Sequence, residues 1–182
     1  MRKSREEAAQ TRRRIVEAAS CEFRKNGIVA TGLNDLMKAA GLTHGGFYKH
    51  FASKDELVGE ATTVALDGLL EGMAAHPTIN AAVAAYLSTH HRDNPASGCP
   101  LAAIGSELSR SDTKAREAAT AGFVRLVDIL AGKAGTADAR RRALVAAATM
   151  IGAVTMSRMV ADPGLSAEIL CAAEKSLAAD QS

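Results

Sequence analysis

Residues 31–54, TGLNDLMKAAGLTHGGFYKHFASK, are compatible with few folds. Leu33, Leu36, Met37 and Ala40 recur at i, i+3, i+4 and i+7, which predicts one apolar stripe on a short helix over residues 32–40. Gly41 follows where the chain must turn sharply, and glycine adopts the left-handed conformation such a stop requires. Leu42, the one apolar residue of the turn, suits the angle between two packed helices. Thr43 is expected to cap the next helix, its hydroxyl accepting an orphan backbone N–H. Over residues 44–51, Phe47 and Phe51 share one side, and Thr43, His44, Tyr48, Lys49 and His50 are left to project elsewhere. A short helix, a glycine turn and a second helix with a polar outer face make a helix-turn-helix pattern.

The flanking sequence reads as helix throughout. A first helix is expected over residues 9–26, with Ile15, Ala18, Ala19 and Phe23 inward and Gly27 as its stop, after a charged arm over residues 1–8. Ser53 and Glu56 form a capping box that opens a fourth helix running to about residue 75, from the turn motif into the rest of the chain. Tilting one end of such a rod moves the other. Thr78 is expected to cap a helix over 79–91, and residues 93–98 a loop. Pro100 opens a helix to 110, and Ser111 or Asp112 caps another to 131. A turn over 132–135 leads to Thr136, the cap of a helix to 161. Asp162-Pro163-Gly164 breaks it, and Ser166 caps the last, to 178. The expected fold is all-α, about nine helices, with a helix-turn-helix unit over 1–60 and a helical unit over 61–182. Apolar residues make up 47% of the chain but aromatics only 3%, and an alanine- and leucine-rich interior favours helix over sheet.

Charge is divided unevenly. Residues 1–54 hold 11 Lys/Arg against 5 Asp/Glu, and residues 55–182 hold 11 against 15, so a basic head sits on an acidic body. That distribution suits a phosphate backbone. Arg12-Arg13-Arg14 either contacts phosphates or solvates a helix face; beside a helix-turn-helix the first is expected. No apolar run approaches a membrane span and no signal region follows the basic N-terminus, so a cytoplasmic protein without membrane contact is expected. Three widely spaced cysteines argue against a disulfide framework, and Cys21 reads as a structural thiol. His90, His91 and Cys99 match no standard metal spacing, so neither metal nor cofactor is expected.

The residues Phe23, Gly27, Ala30-Thr31, Asp35-Leu36, Ala39-Ala40-Gly41-Leu42-Thr43, Gly45, Phe47-Tyr48, His50-Phe51 and Ser53-Lys54-Asp55-Glu56-Leu57 stand in an ordered pattern over about a quarter of the chain. This segment resembles the DNA-binding domain of the TetR (tetracycline repressor) family of bacterial transcription regulators. Gly32 departs from the family's usual Ser or Thr cap. Gly45-Gly46 places two glycines in the first turn of the reading helix, at about 0.5–1 kcal/mol each relative to alanine. A helix poorly ordered alone and firmed by packing or binding is expected. The resemblance implies a homodimer whose last two helices, about 137–161 and 166–178, pair with their copies as a four-helix bundle. The small residues there (Ala146, Ala147, Gly152, Ala153, Ala172, Ala173) suit close helix approach, with ordinary intrachain burial as the alternative. A two-fold pair would present two reading helices to successive major grooves, about 34–36 Å apart.

Thr43, His44 and Lys49 are expected near base edges, with Tyr48, His50, Lys54 and Thr31 on phosphates and Gly45 in the same contact surface. The Tyr48 ring has a competing role packed beside Phe47. A second site is expected around Tyr86, His90 and Cys99, with Phe123 and Met150 as cavity residues. Cys99 lies at a predicted helix N-terminus near His90, His91 and Arg92, which favours a thiolate; it serves otherwise as a small buried residue. Its Gly-Cys-Pro setting resembles a subgroup of the family in which some members sense electrophiles or oxidants through that cysteine. Together these features imply a repressor released from a palindromic operator on double-stranded DNA by a small-molecule effector or by modification of Cys99. A constitutive DNA-binding dimer and a Cys-dependent enzyme are the alternatives; no oriented third group supports the enzyme.

Overall fold

The computed structural model describes residues 5–132 and 136–179, and His44 by its backbone alone. Among these residues the chain is all helical: nine α-helices and two 3-10 helices, with no strand. α1 (Arg5–Asn26) buries Ile15, Val16, Ala19 and Phe23. It begins four residues before the expected start, because Glu6 and Glu7 lie in its first turn, where carboxylates favour the positive end of a helix. Residues 5–8 are therefore helix rather than arm, and residues 1–4 of that arm lie outside the described residues.

α2 (Leu33–Ala39) buries Leu36 and Met37 and ends as expected. Gly41, at φ +67°, donates to Lys38 O, and Leu42 N donates to Met37 O, a Schellman stop that a non-glycine residue would strain. Gly32 supplies no side-chain cap. α3 (Lys54–Ala74) opens on the expected box: Ser53 Oγ accepts from Glu56 N at 3.1 Å, and Glu56 reaches back to Ala52 N at 2.7 Å.

The helix expected over 79–91 is two helices, α4 (Ile79–Tyr86) and α5 (Thr89–Asp93), because Ser88 accepts from His91 N and starts the second. A 3-10 turn (Pro95–Ser97) leads to α6 (Pro100–Leu108), which kinks at Ile104. α7 (Thr113–Ala131) takes Asp112 as its cap, and α8 (Ala137–Met159) takes Thr136. Residues 133–135 of the expected turn are outside the described set. α9 (Pro163–Ala179) starts at the proline, with Asp162 Oδ1 accepting from Leu165 N at 2.7 Å. Ser166, expected as that cap, is instead buried and donates to Ser157 O at 2.6 Å.

Two apolar clusters form. One joins Phe23, Leu36, Phe47, Phe51 and Leu57 of the head to Ile104, Leu108 and Ala115 of α6 and α7. The other holds Leu70, Tyr86, Cys99, Leu126, Met150 and Leu170. α3 runs through both and crosses α7 closely: a Cβ on Gly122 would lie 2.3 Å from Leu66 Cδ1. An alanine at 122 would overpack that crossing by about 1–3 kcal/mol.

Candidate nucleic-acid interface

The element after the glycine turn is a 3-10 helix (His44–Lys49), not the α-helix expected over 44–51. Its ladder is i to i+3: Gly46 N donates to Thr43 O at 3.1 Å and His50 N to Phe47 O at 2.9 Å. Thr43 makes no side-chain cap bond, contrary to expectation. Two successive glycines raise the backbone entropy lost on winding an α-turn, and the Phe47 and Phe51 anchors hold the segment without one. Phe47 and Phe51 are both buried, their rings stacked at 5.5 Å.

Thr43, Gly45, Tyr48 and Lys49 lie on the exposed side of this element. Tyr48 is 68% exposed, yet its ring meets Phe47 edge-on at 5.2 Å, so it both packs and presents its hydroxyl to solvent. The His44 side chain lies outside the described residues. His50 is half-buried, and its carbonyl accepts from Arg12 Nε at 3.2 Å. Two other candidates are engaged within the protein. Thr31 is buried and its hydroxyl donates to Gly27 O. The Lys54 ammonium donates to Ile28 O and Thr31 O, beside the Phe23 ring.

The basic run behaves as three different residues. Arg12 pairs with Glu60 and Glu56 and stacks over Phe51 at 4.4 Å, joining α1, the reading element and α3. Its hydrogen bonds to Glu60 outweigh burial and raise its pKa. Arg14 donates to Ala40 O, at the end of α2, at 2.7 Å, and Arg13 is exposed.

Contacts from α6 reach the head from distant sequence. The Glu107 carboxylate accepts from Ile28 N at 3.0 Å and Val29 N at 2.9 Å, in the loop before α2. Arg24 of α1 donates to Gly98 O at 2.7 Å. Neither pairing has a local signature, since the partners are more than 70 residues apart.

At the second expected site, Tyr86, Cys99 and Met150 are buried in one cluster, with Phe123 packed against it. His90 is exposed and engaged with Asn94; His91 is the inward histidine. His91 Nδ1–H donates to Tyr86 O at 2.6 Å, which leaves Nε2 to accept from Cys99 N at 2.8 Å. Both bonds require a neutral ring, and burial lowers its pKa. A Cβ on Gly98 would lie 2.5 Å from this ring, which is the local reason for glycine before Cys99. The thiolate expected at Cys99 is disfavoured: the thiol is 0% exposed, and burial raises its pKa against the opposing pull of Tyr86 and the N–H groups of Ala102 and Leu101. Cys21 and Cys171 are exposed, so the expected structural thiol at Cys21 is not a buried one. A cavity of about 610 Å³ opens elsewhere, between Ile79, Leu130, Ala143, Val145 and Leu177 with Arg141 and Arg142 at its rim. None of the expected effector residues lines it.

An all-α body carrying a glycine-turned, basic helix-turn-helix head defines a class of protein, the helical nucleic-acid reader. Residues 15–61 match the family described as bacterial regulatory proteins, tetR family, and residues 75–164 match the LmrA/YxaF-like transcriptional regulator C-terminal domain. The chain belongs to the TetR family of bacterial regulatory proteins. It is 47% identical over 58 residues to the HTH-type transcriptional regulator TtgR of Pseudomonas putida, covering 32% of this chain and 28% of that protein. It is 41% identical over 59 residues to AcrR of Shigella flexneri, covering 32% and 27%. The matched stretch thus spans less than a third of those relatives' length. Over nearly full length the fold is that of a TetR-family regulator from Cytophaga hutchinsonii (TM-score 0.76, 22% identity, 97% and 98% coverage). A TetR regulator from Chloroflexus aurantiacus is similar too (TM-score 0.72, 28% identity, 96% and 95% coverage). Members of the family bind DNA operators, typically as dimers with small-molecule effectors. Among the described residues no helix is long and apolar enough to cross a membrane.

Proposed function

We propose that this chain is a homodimeric transcriptional repressor, released from a palindromic operator by a small-molecule effector. Residues 1–60 act as the DNA-reading unit and residues 61–182 as the effector and dimerisation unit, in the cytoplasm where the operator is. The observation that carries the reading is the exposed ridge of Thr43, Gly45, Tyr48 and Lys49 on a helix-turn-helix whose family match covers it. Lys49, with Thr43 and His44, reads base edges; Tyr48 and His50 hold phosphates, joined by Arg13. The internal bonds of Thr31 and Lys54 favour a supporting role for these two, setting the loop before α2 rather than touching DNA. Dimerisation through α8 and α9 is supported by apolar side chains that the single chain leaves exposed: Val145, Met156 and Met159 on α8, and Leu165 on α9. Burial of Cys99 favours ligand binding over thiol modification as the releasing event.

The test is fluorescence anisotropy of a labelled duplex taken from the DNA upstream of the chain's own gene. Specific binding whose logarithm falls steeply with the logarithm of salt, lost in Lys49→Ala, supports the reading. Wild-type protein that ignores all duplexes at low salt defeats it.

A further inference from the structure

Where α4, α5, α6 and α8 meet, the fold leaves polar capacity uncommitted. Arg158 Nη1 is buried with no hydrogen-bond partner among the described residues, and the buried Tyr86 hydroxyl faces only the Cys99 thiol, a contact short of full hydrogen-bond geometry. Tyr86 is 3% exposed and Cys99 0%, and Tyr86, Cys99 and Arg158 each lie within electrostatic reach of the other two. The rest of the neighbourhood is spoken for. Arg158 Nε donates to Arg92 O at 2.9 Å and Nη2 to His91 O at 2.7 Å. His91 is engaged at both ring nitrogens. No carboxylate pairs with Arg158 among the described residues; Asp93, whose charge it feels, accepts from Arg92 at 2.7 Å. A half-buried guanidinium without a counter-ion and a buried hydroxyl set only against a thiol are both unfavourable, and both can donate. α6 begins at the same point with Cys99 as its N-cap, adding the positive end of a helix.

We propose that Arg158, Tyr86 and Cys99 form the anion-recognising end of the effector site, and that it takes a compact monoanion which only accepts hydrogen bonds, either a carboxylate head or an inorganic anion such as nitrite. This deepens the effector reading above and rests on it. Three donors and one positive charge match such a guest, and the cluster has no carboxylate to attract a cation. Gly98 closes the cluster on its backbone side, where an added Cβ would be 2.5 Å from the His91 ring and 3.3 Å from Arg158 Nη2. Gly98 O is also the acceptor for Arg24 of α1. Occupancy therefore bears directly on a hydrogen bond that joins the DNA-reading head to the body.

The experiment follows the proton NMR line of formate with the full chain present. Wild-type protein broadens the line, and Tyr86→Phe, which keeps the ring and loses only the hydroxyl, weakens binding by about tenfold. Arg158→Met abolishes it; because Arg158 also holds two carbonyls, Tyr86→Phe is the variant that decides. Competition by nitrite equal to that of formate identifies an inorganic anion, whereas affinity rising from formate to propionate identifies the carboxylate of an organic effector. No broadening with wild type, or the same broadening with Tyr86→Phe, overturns the proposal. Operator binding measured on the same sample keeps the two levels apart: if it persists while formate fails to bind, only the anion site falls, and if it is absent, the regulator reading falls with it.

Discussion

Glu107 accepts two backbone N–H groups at once, Ile28 and Val29, in the short loop that aims α2. A carboxylate accepting from two amides makes charge-assisted bonds, each roughly twice as strong as a neutral one, and so fixes that loop. Glu107→Gln keeps the shape but loses the charge, and should cost about 1–3 kcal/mol in urea unfolding while weakening operator binding through misplacement of the head. His91 makes a second residue-scale prediction. Its folded pKa lies below the ordinary 6.5 because burial penalises the imidazolium, so the unfolded chain takes up the proton first as pH falls. The stability contributed by neutral His91 is complete above about pH 6.5 and is lost as pH drops toward the folded pKa. Between about pH 7.5 and 5.5 the urea midpoint of wild type should fall further than that of His91→Gln, which cannot titrate. Neither role was legible locally. The residue pattern singled out His90, adjacent to His91, because nothing in the sequence tells which neighbour of a short helix faces inward.

The reading element shows how local preference and packing share control. Glycines at 45 and 46 were expected to weaken it, and it is a 3-10 turn held by two buried phenylalanines. A Cβ on Gly45 meets nothing within 4 Å, and the residue is exposed. Gly45→Ala should therefore stabilise the chain by about 0.5–1 kcal/mol in thermal unfolding. The same methyl would stand between this backbone and an approaching phosphate, so operator affinity should fall while stability rises. A variant that gains in both would show that Gly45 is not at the contact surface. Helix ends with a side-chain acceptor at the right step (Ser53, Thr78, Asp112, Thr136) followed expectation, because capping is a contact within a few residues. Ser166 did not, since Asp162 caps first and frees the serine to bind Ser157 O.

At the scale of the molecule, α3 and α6 both tie head to body. α3 does so by passing from the capping box into the second cluster, and α6 by carrying Cys99 at one end and Glu107 at the other. A change near Gly98 thus reaches the head through Arg24 and through Glu107, the coupling that the proposed release by an effector requires. Exposed Val145, Met156 and Met159 place three large apolar side chains on one helix. Met156→Asp should leave the melting of the isolated fold nearly intact but shift light scattering from dimer to monomer. It should also reduce operator affinity by orders of magnitude, because one reading element contacts only a half-site. A dimer of unchanged mass in that variant would move the interface elsewhere.

The helical class, the turn motif, the basic head and most helix starts were written in the sequence alone, because periodicity, glycine at a left-handed turn and side-chain caps act over a few residues. Only the tertiary structure decided that Arg12 and Lys54 brace the head from within, that His91 rather than His90 turns inward, and that Cys99 is a buried neutral thiol beside Arg158. The partners of Arg12 and Lys54, and Arg158 beside Cys99, lie more than 20 residues away, and the turn of His91 is fixed by α8, whose Arg158 holds its carbonyl, so direction and burial are set by packing and not by neighbours in the chain.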